Sequence, residues 1–225
     1  MESLEKVIGY SFKNPHLAKT ALTHSSYANE HKTESYERLE FLGDSILSVA
    51  VSEYLYKSYP EMPEGVLTKV RAASVCERSL HIVAERLGLG RFLYLNKGEE
   101  LSGGRERVSI LADIVEALLA AIFLDSDMET AKKWVMTNLK DIIDMAVSGK
   151  AFIDYKTELQ EYAQSKDNCE VLYKLTGESG PAHLKRFEYE VLLGGKVMGS
   201  GSGASKKEAE QMAAKAAMEA LREKS

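Results

Sequence analysis

The chain has 225 residues, with 29 Lys and Arg against 34 Asp and Glu, a formal net charge of −5, and 44% apolar residues. That is an ordinary globular balance, long enough for one large domain or two smaller ones. It excludes a bilayer-spanning segment, since no apolar run approaches roughly 18 residues, and it argues against nucleic-acid binding through bulk charge. The start, Met1-Glu2-Ser3-Leu4-Glu5-Lys6, lacks the basic and apolar regions of a secretory signal, so a cytoplasmic protein with no membrane partner is expected. Cys76 and Cys169 have no Cys or His cluster near them and read as free thiols rather than a zinc site or disulfide pair.

Residues 1 to about 147 read as helices. Helical spacing of apolar side chains runs through Leu17 to Leu22, Tyr36 to Tyr59, Val66 to Leu87, Ser109 to Leu124 and Met128 to Met145. Pro60 and Pro63 close the second of these, and Pro63-Glu64-Gly65 opens the next. Gly88, Gly90, Gly98, Gly103 and Gly104 mark a loop-rich interval whose contacts the sequence does not reveal. A polar stretch, Val147-Ser148-Gly149-Lys150, then introduces a change of pattern. One helix, about Tyr155 to Gln164, precedes three alternating segments: Val171 to Leu175, Phe187 to Val191 and Lys196 to Gly199. Gly194-Gly195 suits a two-residue hairpin turn. A last helix runs from Lys206 to about Arg222 with an apolar stripe of Ala209, Met212, Ala213, Ala216, Ala217, Ala220 and Leu221. The expected domains are therefore an all-α unit at 1–147, a linker at 148–153 and a small α+β unit of α-β-β-β-α order at 154–225.

Two acidic groups stand in apolar surroundings. Glu37, Glu40 and Asp44 share a helix face, and so do Asp113 and Glu116. Carboxylates among Leu, Ile, Phe and Ala cost several kcal/mol, on the order of 3–5 when left unpaired, unless a cation offsets their desolvation. If the two helices are neighbours, four or five acids converge, and a set of oxygen ligands without His or Cys suits Mg²⁺ or Mn²⁺ rather than zinc. Such a cluster fits metal-assisted phosphoryl transfer better than sugar hydrolysis, which needs only two acids. The alternative is salt bridging to Arg38, Arg71 or Arg105. Gly43 inside a helix costs up to about 1 kcal/mol relative to Ala and points to a close approach by another helix or chain.

These residues resemble bacterial ribonuclease III. The resemblance rests on Glu37-Arg38-Leu39-Glu40-Phe41-Leu42-Gly43-Asp44-Ser45, similar to that family's signature helix, and on Ser109 to Ala117, similar to its second acidic motif. It continues through Leu22 to Ser26, Glu64 to Ala72, Gly98-Glu99 and Gly103 to Arg105. It implies a homodimeric, Mg²⁺-dependent endonuclease in which Glu40, Asp44, Asp113 and Glu116 bind metal, Asp44 and Glu116 being the surest catalytic acids. Glu37 and Glu64 would be auxiliary acids, and Phe41, with Leu42 and Gly43, would face the partner subunit. Ala120 departs from the family's usual Gly and is expected to tighten helix packing. His24 is either a substrate contact or, more simply, a satisfied structural residue. Thr68, Arg71 and Arg105 suit either phosphates or salt bridges.

The last helix begins with Lys206 and Lys207, where the helix dipole prefers acids, so a bound phosphate would gain from both lysines and from the free backbone N–H groups. With Tyr155 to Glu161, Gly180-Pro181-Ala182-His183 and Gly199 to Glu210, this unit resembles a double-stranded RNA-binding domain. That resemblance assigns duplex contacts to Thr157, Gln160, Glu161, His183, Ser205, Lys206 and Lys207, with recognition by shape more than by sequence. Glu210 stands where many such domains carry Lys. The combined expectation is hydrolysis of double-stranded RNA to 5′-phosphate and 3′-hydroxyl ends, in processing of ribosomal and messenger RNA. A catalytically silent dimeric RNA-binding protein is the alternative, marked by loss of an acid, and none is missing. A phosphohydrolase of small substrates is the other, and the C-terminal unit counts against it.

Overall fold

The computed structural model describes residues 3–149, 155–165, 169–181 and 185–222. The chain divides into two compact units, Met1–Ala151 and Phe152–Ser225, each with its own core. The duplex contact expected at His183 and the part of the expected linker beyond Gly149 lie outside the described residues.

The first unit is helical: α1 (Leu4–Ile8), α2 (Pro15–Ala21), α3 (Ser25–His31), α4 (Glu37–Ser58), α5 (Glu64–Val75), α6 (Glu77–Arg86), α7 (Lys97–Leu101), α8 (Val108–Asp125) and α9 (Met128–Val147), with short 3₁₀ turns at Leu89–Phe92 and Gly104–Glu106. α8 is apolar on nearly every side, as a helix at the centre of a bundle must be. Ile114, Ala117, Leu118, Leu119, Ala120 and Ile122 are fully buried, and α2, α4, α6 and α9 pack around it. Asp113 and Glu116 are thus carried by the least exposed helix of the unit.

Val66 to Leu87 is two helices, not one. The chain breaks at Cys76, whose extended backbone (ψ 156°) ends α5 and starts α6. The apolar spacing runs on through the break because both helices face the same core. Beside the break, hydroxyls compete for backbone carbonyls: Ser74 donates to Val70 O and Ser79 to Ala73 O, each at 2.7 Å. The short α1, α3 and α7 had no readable period of their own and are held by side-chain caps from Ser3, His24 and Asn96.

Backbone braces lock the start of the unit to its centre. Tyr94 N–H donates to Leu22 O (2.9 Å), His24 N–H to Tyr94 O (3.1 Å) and Tyr36 N–H to Thr23 O (2.9 Å). At the far end of α8, Asp125 accepts bonds from Tyr10 Oη and from the Lys13 and Asn14 N–H groups.

The second unit has α10 (Tyr155–Ser165), an antiparallel sheet of β1 (Val171–Ser179), β2 (Arg186–Leu193) and β3 (Lys196–Gly203) in that order, and α11 (Lys206–Arg222). Gly194 and Gly195 both have positive φ, 55° and 79°, the geometry of a type I′ hairpin. β3 is longer than its alternating letters show because its glycines face the helix. A Cβ on Gly201 would lie 2.2 Å from Ala213 N, and one on Gly199 2.5 Å from Ala213 O, so α11 rests on β3 main chain against main chain. This rotates the apolar stripe of α11: Ala214 and Met218 are buried, whereas Met212, expected in the stripe, is 43% exposed.

Candidate active site and duplex-binding face

The acids meet where α4 crosses α8, and Gly43 makes the crossing possible. It is buried, and a Cβ there would lie 2.0 Å from the carbonyl oxygen of Glu116. Glu40 and Asp44 flank this contact on α4, while Asp113 and Glu116 lie on α8. Glu40, Asp113 and Glu116 are half-buried; Glu37 and Asp44 are exposed.

Their electrostatics bind them into one group. Burial pushes the Glu116 carboxyl up to about 8, helped by repulsion from Asp44, Glu40 and Asp113. Burial also raises Glu40, with Asp113 and Glu37 adding to it. Asp113 is raised by burial and by Glu77, against the opposing pull of a Tyr36 hydrogen bond and of His24. No ion pair among the described residues involves Glu40, Asp44, Asp113 or Glu116, so the salt-bridge alternative fails for these acids. Arg71 donates instead to Ser52 Oγ (3.0 Å). Arg105 donates to Glu100 Oε1 (2.6 Å) and to the carbonyls of Gly90 (2.8 Å) and Leu93 (2.9 Å), which shows that the Gly-rich interval is held by its own contacts.

The convergence stops short of a ready ligand cage. Among the described residues no three His, Cys, Asp or Glu side chains are gathered to hold a metal ion. Burial without a counter-ion, with mutual repulsion adding to it, is what their raised affinities for protons report. The donor set nevertheless fits a hard divalent cation: oxygen only, partly desolvated and free of competing Lys or Arg.

Other expected residues separate into groups. Glu37 accepts a bond from Ser35 Oγ (2.7 Å). Glu64, exposed at the start of α5, accepts one from Thr68 Oγ1 (3.0 Å) on its own helix. Phe41 is 80% exposed. Gly43 is not part of a partner-facing surface, being buried against α8, while Leu42 is half-buried and packs partly on the core, because a helix turns successive side chains 100° apart. His24 is structural, its Nδ1 accepting the Ser26 N–H (3.1 Å) to cap α3.

Sequence reasoning missed Tyr36 and Glu77. Tyr36 is 4% exposed and donates from its hydroxyl to Asp113 Oδ2 at 3.0 Å. Its place directly before the acidic run was the only available signal. Glu77 was hidden inside the merged helix.

In the second unit Thr157, Gln160 and Glu161 line one face of α10 beside a shallow groove of about 400 Å³ shared with Lys156, Gln164 and Tyr173. Ser205, Lys206 and Lys207 are exposed at the start of α11. The helix start is less bare than expected. Ser205 Oγ accepts the Glu208 N–H (3.2 Å) and the Glu208 carboxylate accepts the Ala204 N–H (2.8 Å), a variant capping box that offsets the two lysines. Glu210 pairs with Lys156 Nζ at 2.6 Å, tying α11 to α10.

Residues 14–143 match the Ribonuclease-III-like family and residues 155–221 the double-stranded RNA binding motif. Ribonuclease 3 of Clostridium perfringens is 49% identical over 221 residues, covering 98% of this chain and 93% of that protein. Ribonuclease 3 of Caldanaerobacter subterraneus subsp. tengcongensis is 52% identical over 220 residues, covering 97% and 95%. Among solved structures, the nuclease domain of ribonuclease III from Campylobacter jejuni, in which a region involved in dimer formation is flexible, is 41% identical with a TM-score of 0.59, covering 61% of this chain and 94% of that one. With paired acids across a helix crossing in the first unit and an RNA-binding motif in the second, this chain belongs to the ribonuclease III family of double-strand-specific endoribonucleases.

Proposed function

We propose that Glu40, Asp44, Asp113 and Glu116 form a Mg²⁺ site, open also to Mn²⁺, at which the chain hydrolyses phosphodiester bonds of duplex RNA. The observation that supports this is the α4–α8 contact at Gly43, beside which α4 carries Glu40 and Asp44 and α8 carries Asp113 and Glu116, none of them in an ion pair among the described residues. A divalent cation, when bound there, lowers the pKa of water and offsets charge at the departing oxygen. Glu40 and Asp44 on α4 and Asp113 and Glu116 on α8 would supply the carboxylate oxygens for such a cation. Partial burial of Glu40, Asp113 and Glu116 keeps bulk water from screening these charges. Water would add in line to the scissile phosphorus as the P–O3′ bond breaks, one water proton ending on the departing 3′ oxygen, so that one product carries a 3′-hydroxyl and the other the 5′-phosphate. Glu37 and Glu64 lie on exposed first turns, suited to auxiliary roles along the cutting groove.

The active form in this reading is a homodimer with one cutting site per subunit, supported by the exposed Phe41 ring on the acid-bearing helix. The units act as 1–147 for cutting and 154–225 for binding, joined by 148–153. Duplex contacts come from Thr157, Gln160 and Glu161 on α10, His183, and Ser205, Lys206 and Lys207 at α11. The substrates are structured transcripts such as ribosomal RNA precursors and messages, met in the cytoplasm.

The test is long duplex RNA incubated with Mg²⁺ or with a chelator. Wild type is expected to cut only with metal, and Glu116→Ala to bind the duplex without cutting it. Equal cutting by Glu116→Ala overturns the site. In the same binding assay the double change Lys206→Ala, Lys207→Ala should reduce the salt slope by about 2, roughly 1 per lost phosphate contact. An unchanged slope returns these lysines to a solubilising role.

A further inference from the structure

Asp113 is the only one of the four acids given a hydrogen bond by a buried side chain among the described residues. The donor, Tyr36, touches both acid-bearing helices. Its carbonyl accepts the N–H groups of Leu39 (2.8 Å) and Glu40 (2.9 Å), which opens α4, and its hydroxyl reaches α8 at Asp113 Oδ2. Its own N–H donates to Thr23 O, in the segment that Tyr94 braces on both sides, and its ring lies 5.8 Å from that of His24. We infer that Tyr36 is a positioning residue for metal binding: it fixes Asp113 Oδ2 and leaves Oδ1 as the oxygen of that carboxylate open to a cation. The inference rests on the reading of Asp113 as a ligand.

Its physical basis is twofold. A donor to a ligating carboxylate limits the rotation of that carboxylate and stabilises its ionised form, and loss of such partners typically weakens metal affinity about 10- to 100-fold. A second tyrosine supplies a matched control. Tyr10 Oη donates to Asp125 Oδ2 at 2.7 Å, the same kind of bond away from the four acids.

The experiment is calorimetric titration of the full chain with Mn²⁺, without RNA, for wild type, Tyr36→Phe, Tyr10→Phe and Asp113→Asn. Phe keeps the ring and its packing, and thermal melting of both Phe variants checks that folding is retained. Tyr36→Phe is expected to weaken Mn²⁺ about tenfold, while Tyr10→Phe leaves it within the error of the titration. The Mg²⁺ concentration for half-maximal cutting should rise by the same factor in Tyr36→Phe, with the rate at saturating metal little changed. If Asp113→Asn weakens Mn²⁺ but Tyr36→Phe does not, the positioning role is overturned and the metal site stands. If Asp113→Asn itself binds Mn²⁺ like wild type, the ligand assignment fails, and the role of Tyr36 fails with it.

Discussion

Glu116 shows how much one carboxylate can report about its surroundings. Its folded value of about 8 lies above the ordinary 4.5, so the folded protein binds a proton that the unfolded chain has released. The sign follows from linkage: where the native state holds more protons, stability falls as pH rises. Without metal, the first unit should therefore lose stability between about pH 4.5 and about pH 8, and a divalent cation should reduce that loss by taking the proton's place. Thermal melting across that range with chelator and with Mg²⁺ checks this; identical slopes in the two series would refute it. At this scale the four acids were legible because charges spaced three and four apart stand out among apolar letters. Tyr36 and Glu77 were not. The Tyr36 bond spans 77 positions, and no local pattern encodes which carboxylate a buried hydroxyl meets.

Between elements, the decisive feature is a glycine valued for the volume it lacks. Helix propensity alone predicts that Gly43→Ala stabilises by up to about 1 kcal/mol. The contact predicts the opposite, since the new Cβ would meet the Glu116 carbonyl oxygen at 2.0 Å and backbone has to move. A net loss of about 1–3 kcal/mol is expected, as for overpacking in a dense core, together with weaker cutting, because the two acid pairs are pushed apart. Urea unfolding decides between the signs, and a net gain would mean that the helices can separate at no cost. The helix-interior glycine was readable as a close approach, but not which surface approaches. Leu42 and Gly43 looked equally suited to a partner chain until α8 was seen to cover Gly43. The Cys76 break was unreadable for a related reason: apolar periodicity reports the direction of the core, and α5 and α6 share that direction.

In the whole molecule, the order of helices followed by α-β-β-β-α was legible because periods of 3.6 and 2 do not resemble each other. The lengths of the strands were less so, since β3 alternates glycines that carry no hydrophobic signal. The two cores differ greatly in depth. Among the described residues, the first gathers buried side chains from Ile8 to Ala146, whereas the buried set of the second is Leu159, Tyr189, Val191, Met218 and four alanines, with partly buried side chains such as Tyr162 and Phe187 packed against it. A small core leaves little margin over chain entropy. Warming is therefore expected to unfold the RNA-binding unit before the nuclease unit, seen as two calorimetric transitions with duplex binding lost at the lower one; a single transition for the whole chain would refute this. Over that interval the molecule would be a blade without a guide, its working ceiling set by the shallower of its two cores.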